Sequence, residues 1–280
     1  MNTPQRPLAD RLRRLLPGMR APLPHGRVAI VRLHGPIGGA RTSEQIELVR
    51  HLRESRRVPA VVLDIDSPGG SASASDDLFL GLERLAAHKP LVAAIRGTGA
   101  SGAYLAAMAS RRILANPNAI VGSIGVISAG PRLARLLERV GVSVAVTKAG
   151  RLKEMGAPWH EETDEERAKE EELVGAIYEA FVARVARGRK MPPERVRELA
   201  TGEVWLGTRA LELGLVDEIG DLERAVEVAA AMAGVPARSA PVRLHRPLIG
   251  RLMERFGTSL AAAVADELEM RLADRVRLRR

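Results

Sequence analysis

Two glycine-containing turns, each placed directly after an apolar run, carry the residue types that acyl-transfer chemistry needs. The run VVLDID ends in Ser-Pro-Gly-Gly at 67–70, and the run LVAAIRG leads into GASG, which contains Ser101. A short apolar run that breaks at glycine and proline predicts a buried strand followed by a tight turn. Two such turns can set backbone amides beside a serine hydroxyl, as a nucleophile and its oxyanion hole require.

A serine nucleophile also needs a base, and the lysines are the candidates. The six histidines form no motif with Ser101. Arginine stays protonated in proteins, whereas a lysine shielded from water can accept a proton. The chain has only five lysines against 38 arginines, and Lys153 follows a predicted strand at 142–147 and a glycine turn. Lys153 is therefore the first candidate, with Lys148 as its closest rival.

Five motifs in a fixed order give the chain a specific resemblance to a known family. DIDSPGG, GASGAYLAA, VGSIGVI, GRLKEMGAP and WLGTRALELGLVDEIG resemble the signal peptide peptidase A family of Ser/Lys peptidases, in the Clp-protease and crotonase superfamily. The resemblance covers about residues 28–231 and fits the short, single-repeat form. It implies a serine endopeptidase that hydrolyses short apolar peptides, such as signal-peptide remnants, without a cofactor or a metal ion.

The resemblance also implies a role for individual residues, position by position. Ser101 matches the nucleophile and Lys153 matches the general base. Ser123 matches the serine that orients the lysine amine. The backbone amides of three glycines match the oxyanion hole: Gly70, Gly102 and, as a less certain neighbour, Gly69.

Several of these residues also have a purely structural interpretation. Ser101 could simply cap the helix that it opens, and Gly69 and Gly70 could be turn glycines that adopt positive φ. Asp64 and Asp66 suit strand-end and turn acids better than a metal site, because no histidine accompanies them.

Two alternative functions belong to other classes of protein. A crotonase-type acyl-CoA enzyme would share the SPGG-type amides, but it would need a CoA-phosphate site and catalytic carboxylates. A non-catalytic oligomeric scaffold would keep the fold without using Ser101 or Lys153.

Apolar runs alternate with helical patterns along the chain. Strands are predicted at 28–34, 60–65, 91–96, 112–115 and 142–147. Helices are predicted at 43–56, 73–87, 101–110, 131–139, 163–187, 207–214 and 221–233, with a short one after the Pro-Pro pair at 192–193. In the helix at 163–187, TDEE predicts a capping box at the start, and the apolar positions 173, 174, 177, 178, 181 and 185 predict one buried face. This order predicts an α/β fold with a mainly parallel sheet. The resemblance implies the Clp-protease/crotonase-like ββα spiral with extra helices.

Three regions are predicted from composition and charge. Residues 1–27 form a basic, flexible N-terminal segment, 28–240 the peptidase core, and 241–280 a basic amphipathic helical segment. The net charge of +9 divides into +4 on residues 1–20, +4 on residues 241–280 and only +1 on residues 21–240 between them. This distribution argues against a nucleic-acid-binding core and permits peripheral contact of the two ends with an anionic membrane.

Targeting signals are missing from the sequence as given. No apolar run reaches the ~18 residues of a membrane-spanning helix, and residues 1–20 contain no signal-peptide core. We therefore expect a cytoplasmic protein, in peripheral contact with the membrane at most. The chain has no cysteine, which excludes disulfides and thiol catalysis.

The resemblance implies a homo-oligomer, because short members of the family assemble into rings. In such an assembly Ser101 of one chain would meet Lys153 of its neighbour. We therefore expect the two residues to lie apart within a single chain, with Lys153 exposed there.

Overall fold

The computed structural model describes residue 23 and residues 25–242. The predicted basic ends therefore lie almost entirely outside the described residues, and their contact with a membrane stays a prediction. Within the described part, no helix is both long enough and apolar enough to cross a membrane.

A mainly parallel sheet forms the centre of the fold. Its strands are β1 (Val28–His34), β2 (Val61–Ser67), β3 (Leu91–Ala100), β4 (Arg112–Ala115), β5 (Ile120–Gly122), β6 (Val204–Leu206), β7 (Glu218–Ile219) and β8 (Ser239–Pro241). The main path runs β6-β5-β3-β2-β1-β8, and β4 joins β3 to β7. Every pairing is parallel except that of β5 with β6.

Helices connect these strands and confirm the predicted α/β class. They are α1 (Gly39–Glu54), α2 (Ala72–Ala86), α3 (Gly102–Ala107), α4 (Ala134–Arg139), α5 (Asp164–Arg189), α6 (Pro193–Leu199), α7 (Gly207–Glu212) and α8 (Leu222–Ala233). The predicted capping box of α5 is present, because Thr163 and Glu166 exchange side-chain and backbone hydrogen bonds.

The core packs small side chains against the central strands. Helix α8 places Ala225 and Ala229 against Val62 of β2 and Val92 of β3. All four residues are fully buried. A parallel sheet covered in this way has apolar strands and leaves its polar chemistry to the strand ends. The turns that follow β2 and β3 are therefore where functional groups can emerge.

The predicted strand at 142–147 is wrong for the single chain. These residues pair with no strand of the described fold, and Val142, Val144 and Val146 are each about half exposed. An alternating apolar pattern forms a strand only where a neighbour accepts its backbone hydrogen bonds. No neighbour in the described chain does so.

Helix α5 has the predicted extent but not the predicted buried face. Phe181 and Val185 are buried, whereas Leu173 and Ile177, on the same predicted face, are exposed. The C-terminal part of the helix therefore packs on the core, and the N-terminal part presents apolar side chains to solvent.

A partly buried ion pair holds the C-terminal end of α5 to the sheet. The guanidinium of Arg189 donates to both carboxylate oxygens of Asp217, at 2.8 and 3.1 Å, and Asp217 also accepts from the amide of Ile113. Burial alone would raise the pKa of Asp217, but the hydrogen bond and charge of Arg189 hold that pKa below its ordinary value.

Asp217→Ala should lower the free energy of unfolding by about 2 kcal/mol at neutral pH, because it leaves Arg189 without its partner. The folded-state pKa of Asp217 is depressed, so its contribution is complete above the unfolded pKa of about 4. The stabilisation by Asp217 is lost as the pH falls through its folded-state pKa. Urea unfolding at fixed protein concentration should therefore show a difference between wild type and Asp217→Ala that shrinks at low pH.

The control for this prediction is Glu212→Ala, which removes an exposed pair with Arg209 and should cost less than about 1 kcal/mol. A difference for Asp217→Ala that stays the same at neutral pH and at about pH 2.5 would contradict the assigned role of the carboxylate.

Candidate active site

The turn at the end of β2 exposes the amide of Gly70. The carbonyl of Gly69 accepts from the amide of Ile37 at 2.8 Å, and the amide of Ser71 donates to the carbonyl of Ile37 at 3.0 Å. These two hydrogen bonds form an isolated parallel bridge between Ile37 and Gly70. They use the carbonyl before Gly70 and the amide after it. The amide of Gly70 therefore has no acceptor in the bridge, and Gly70 lies in the wall of a cleft.

Ser101 occupies a strained turn between β3 and α3. Its backbone has φ 52° and ψ −125°, a region that costs a non-glycine residue about 1–3 kcal/mol. Ser101 stands at the N-cap position, yet its side chain caps nothing. The structural interpretation of Ser101 as a helix cap is therefore wrong, and its hydroxyl is available for chemistry.

The turns after β2 and β3 are in direct contact. Gly69 has φ 91°, and a Cβ placed on it would lie 2.7 Å from the amide nitrogen of Gly102 and 2.8 Å from Cβ of Ser101. A register shift near the end of β2 pairs Ser67 with Gly99 and so brings the turns together. Gly102 is the first residue of α3, so its amide has no acceptor within the helix. Gly70, Ser101 and Gly102 thus line one cleft, on two turns that touch each other.

Ser123 joins the same cleft from the neighbouring strand. Strand β5 pairs with β3 so that Gly122 lies opposite Ala100, and Ser123 follows directly with φ 50°. Its amide donates to the carbonyl of Glu203 at 2.7 Å, which fixes the residue against the segment before β6.

The cleft has a volume of about 1200 Å³ and is largely apolar. It contains all the predicted site residues except one: Ser101, Ser123, Gly69, Gly70 and Gly102. Its apolar lining comes from α3, α5 and the segment after Ser123: Leu105, Val126, Ile127, Ala176, Ile177 and Phe181.

The alanines around Ser101 do not form the cleft wall, although their small size predicts such a wall. Ala103, Ala106 and Ala107 are fully buried beneath Ser101. Their small side chains let α3 pack closely on the sheet, and the apolar surface comes from Leu105, from α5 and from the segment after Ser123.

Lys153 is the predicted site residue that the single chain does not bring to Ser101. It is exposed and lies outside the cleft lining. Within the described chain its amine forms no hydrogen bond or ion pair.

Three of the other lysines are already engaged. Lys148, the rival base, forms an ion pair with Glu154 at 2.8 Å. Hydrogen bonds from Lys148 and from Trp159 lower the pKa of Glu154. Buried Lys89 donates to two backbone carbonyls, and Lys169 pairs with Glu172. Unlike Lys153, Lys148 therefore already has a carboxylate partner within the described chain.

The two acids near the end of β2 have structural partners. Asp64 is buried and accepts from Arg96 at 2.7 Å, with His34 at 3.1 Å on its other oxygen. Asp66 accepts from the amide of Thr98 at 3.0 Å. Among the described residues, no group of three or more His, Cys, Asp or Glu side chains could hold a metal ion.

Comparison with known proteins identifies the family. The sequence model of Peptidase family S49 matches residues 83–236, more than half of the chain. The chain belongs to peptidase family S49. This finding confirms the resemblance predicted from the five motifs.

Relatives with curated names extend the match over most of the chain. A putative protease of Synechocystis is 36% identical over 245 residues, which cover 86% of this chain and 87% of that protein. The chloroplastic serine protease SPPA of Arabidopsis thaliana is 37% identical over 226 residues, 78% of this chain but 33% of that protein. A putative signal peptide peptidase SppA of Enterococcus faecium is 37% identical over 180 residues, 64% of this chain and 52% of that protein.

Gly102→Ala should distort the site, because the added Cβ atom would clash with the side chain of Ser75. The new Cβ would lie 2.0 Å from Oγ of Ser75, and Ser75 is fixed by donating to the carbonyl of Ser71 at 2.8 Å. We expect the Gly102 amide to be displaced and kcat/KM for a fluorogenic peptide to fall about 100-fold.

The double variant Gly102→Ala/Ser75→Gly removes the obstructing side chain and should recover part of this loss. Wild-type activity in Gly102→Ala alone would show that the amide of Gly102 is not needed.

Proposed function

We propose that this protein is a serine endopeptidase in which Ser101 is the nucleophile and Lys153 the general base. The observation that carries the proposal is the strained position of Ser101, whose side chain caps nothing and which shares one cleft with Gly70 and Gly102. A residue held in such a backbone conformation indicates a functional requirement, because packing alone would favour relaxation.

The roles of the residues follow from ordinary acyl-transfer chemistry. The neutral amine of Lys153 takes the proton of Ser101 as Oγ attacks the peptide carbonyl. The amides of Gly70 and Gly102, with Gly69 shaping the turn, stabilise the oxyanion. The amine then protonates the leaving group, and it later activates the water that hydrolyses the acyl-enzyme. Ser123, on the adjoining strand, orients the lysine amine by a hydrogen bond.

The substrates proposed are short apolar peptides, such as remnants of signal peptides. The cleft supports this class, because its wall is built of aliphatic and aromatic side chains from α3 and α5. The name of the Enterococcus relative, a putative signal peptide peptidase, points to the same class.

The two alternative functions have less support. Within the described cleft lining, Asp76 is the single carboxylate, and it is paired with Arg184, whereas an acyl-CoA enzyme of the crotonase type would place unpaired catalytic carboxylates there. A scaffold without activity would have no need of a strained Ser101.

Ser101→Ala and Lys153→Ala should each lower kcat/KM for an apolar peptide by about 100-fold or more, because each removes a reacting group. Lys153→Arg should be equally inactive, since guanidinium cannot accept the proton. Lys148→Ala is the matched control from the same loop and should keep activity within about threefold. Full activity in Ser101→Ala or Lys153→Ala would contradict the dyad.

We further propose that each site is completed by a second copy of the chain. Lys153 is exposed and lies outside the cleft that holds Ser101, although a lysine base must be shielded from water. The segment before it exposes three alternate valines on an unpaired stretch, and Leu173 and Ile177 of α5 are also exposed. A neighbouring subunit would bury these apolar groups and deliver Lys153 to its partner's Ser101.

Mixing inactive Ser101→Ala with inactive Lys153→Ala protein should restore activity if sites are shared between chains. At equal amounts, random exchange forms intact sites at about one junction in four, so about a quarter of wild-type activity is expected. Exchange is verified by native mass spectrometry of differently tagged chains. No recovery despite demonstrated exchange would place the whole dyad within one chain.

A further inference from the structure

We propose that Asp76 forms a subsite for a positively charged group of the substrate, an ammonium or a guanidinium, beside the reacting serine. The inference rests on the proposed peptidase function and adds a charge preference to it. Asp76 lines the same cleft as Ser101, and among the described lining residues it is the single acid.

Ser75, the residue before Asp76 on helix α2, contacts the turn that contains Gly102. Ser75 packs directly on Gly102, with no room for a Cβ between them, and its hydroxyl is tied to the carbonyl of Ser71. Asp76 is the next residue on this rigid helix. Gly102 and Asp76 line the same cleft, so a substrate bound at the amide of Gly102 has the Asp76 carboxylate in the wall of its binding site.

The carboxylate of Asp76 has acceptor capacity to spare. Its one partner in the described chain is Arg184, whose Nη1 contacts Oδ1, whereas an ionised carboxylate offers about four acceptor positions. The Asp76 side chain is 38% exposed, against 22% for Arg184. Arg184 is also engaged a second time, since its guanidinium lies 4.8 Å from the centre of the Phe79 ring. Both partners line the cleft, and the carboxylate is the more exposed of the two.

A purely structural role for the pair provides the control. Helices α2 and α5 are joined by a second pair of the same chemistry, in which Arg187 contacts Glu83 and lies 5.8 Å from the same Phe79 ring. Neither Glu83 nor Arg187 lines the cleft. If these pairs only joined the helices, removing either carboxylate would have a similar effect on every substrate.

The test compares wild type, Asp76→Asn and Glu83→Gln on internally quenched apolar peptides. N-terminally blocked peptides carry Lys, Leu or Glu at each position around the scissile bond, and an unblocked leucine peptide supplies a terminal ammonium. Wild type should prefer lysine at one position, and Asp76→Asn should lower kcat/KM for that peptide about fivefold. The blocked leucine peptide should change less than about twofold, and the glutamate peptide should improve because Arg184 is released.

The outcomes separate the possibilities. A loss confined to the blocked lysine peptide assigns the subsite to a basic side chain, and a loss confined to the unblocked peptide assigns it to the terminal ammonium. An unchanged lysine-to-glutamate ratio in Asp76→Asn, or an equal loss on all peptides that Glu83→Gln reproduces, would overturn the subsite while leaving the peptidase intact. A wild-type protein that hydrolyses none of the peptides would overturn both proposals.

Discussion

The site depends on the close contact between two turns at the carboxyl ends of neighbouring parallel strands. Gly69 leaves no room for a side chain against Ser101 and Gly102, so the backbone of one turn lies directly against Ser101 in the other. The strain at Ser101 persists because the core holds both strands in register. The buried alanines of α3 and the apolar contacts of α8 thus contribute to the site indirectly, because they hold the strands that carry the two turns.

Most of the fold and the chemistry within the cleft could be predicted from local sequence. Apolar runs broken by glycine located the long strands, and TDEE located the start of α5, because both signals act within a few residues. The turns that contain Ser101 and the three glycines can be located in the same way, whereas the catalytic roles assigned to these residues come from the resemblance to the family. The short strands β5 and β6 were not, since three residues carry too little periodicity and their pairing joins segments about eighty positions apart.

The features that the sequence could not predict depend on contacts between residues distant in sequence. The alternating valines at 142–147 have the pattern of a strand, but a strand needs a neighbour, and the described chain offers none. The small alanines next to Ser101 suggested a cleft wall, whereas packing buried them and Ile127, Ile177 and Phe181 lined the cleft instead. The charged pair formed by Asp76 and Arg184 joins α2 and α5, and no local sequence motif predicts that these helices are in contact.

The account is tested most directly by finding which serine a fluorophosphonate modifies, using peptide mapping by mass spectrometry. The reagent reacts only with a serine whose proton can be removed and whose developing charge is stabilised. We predict one adduct, on Ser101, in wild type and in Lys148→Arg, and none in Lys153→Arg under the same conditions. An adduct on another serine, or undiminished labelling of Ser101 in Lys153→Arg, would contradict the proposed dyad.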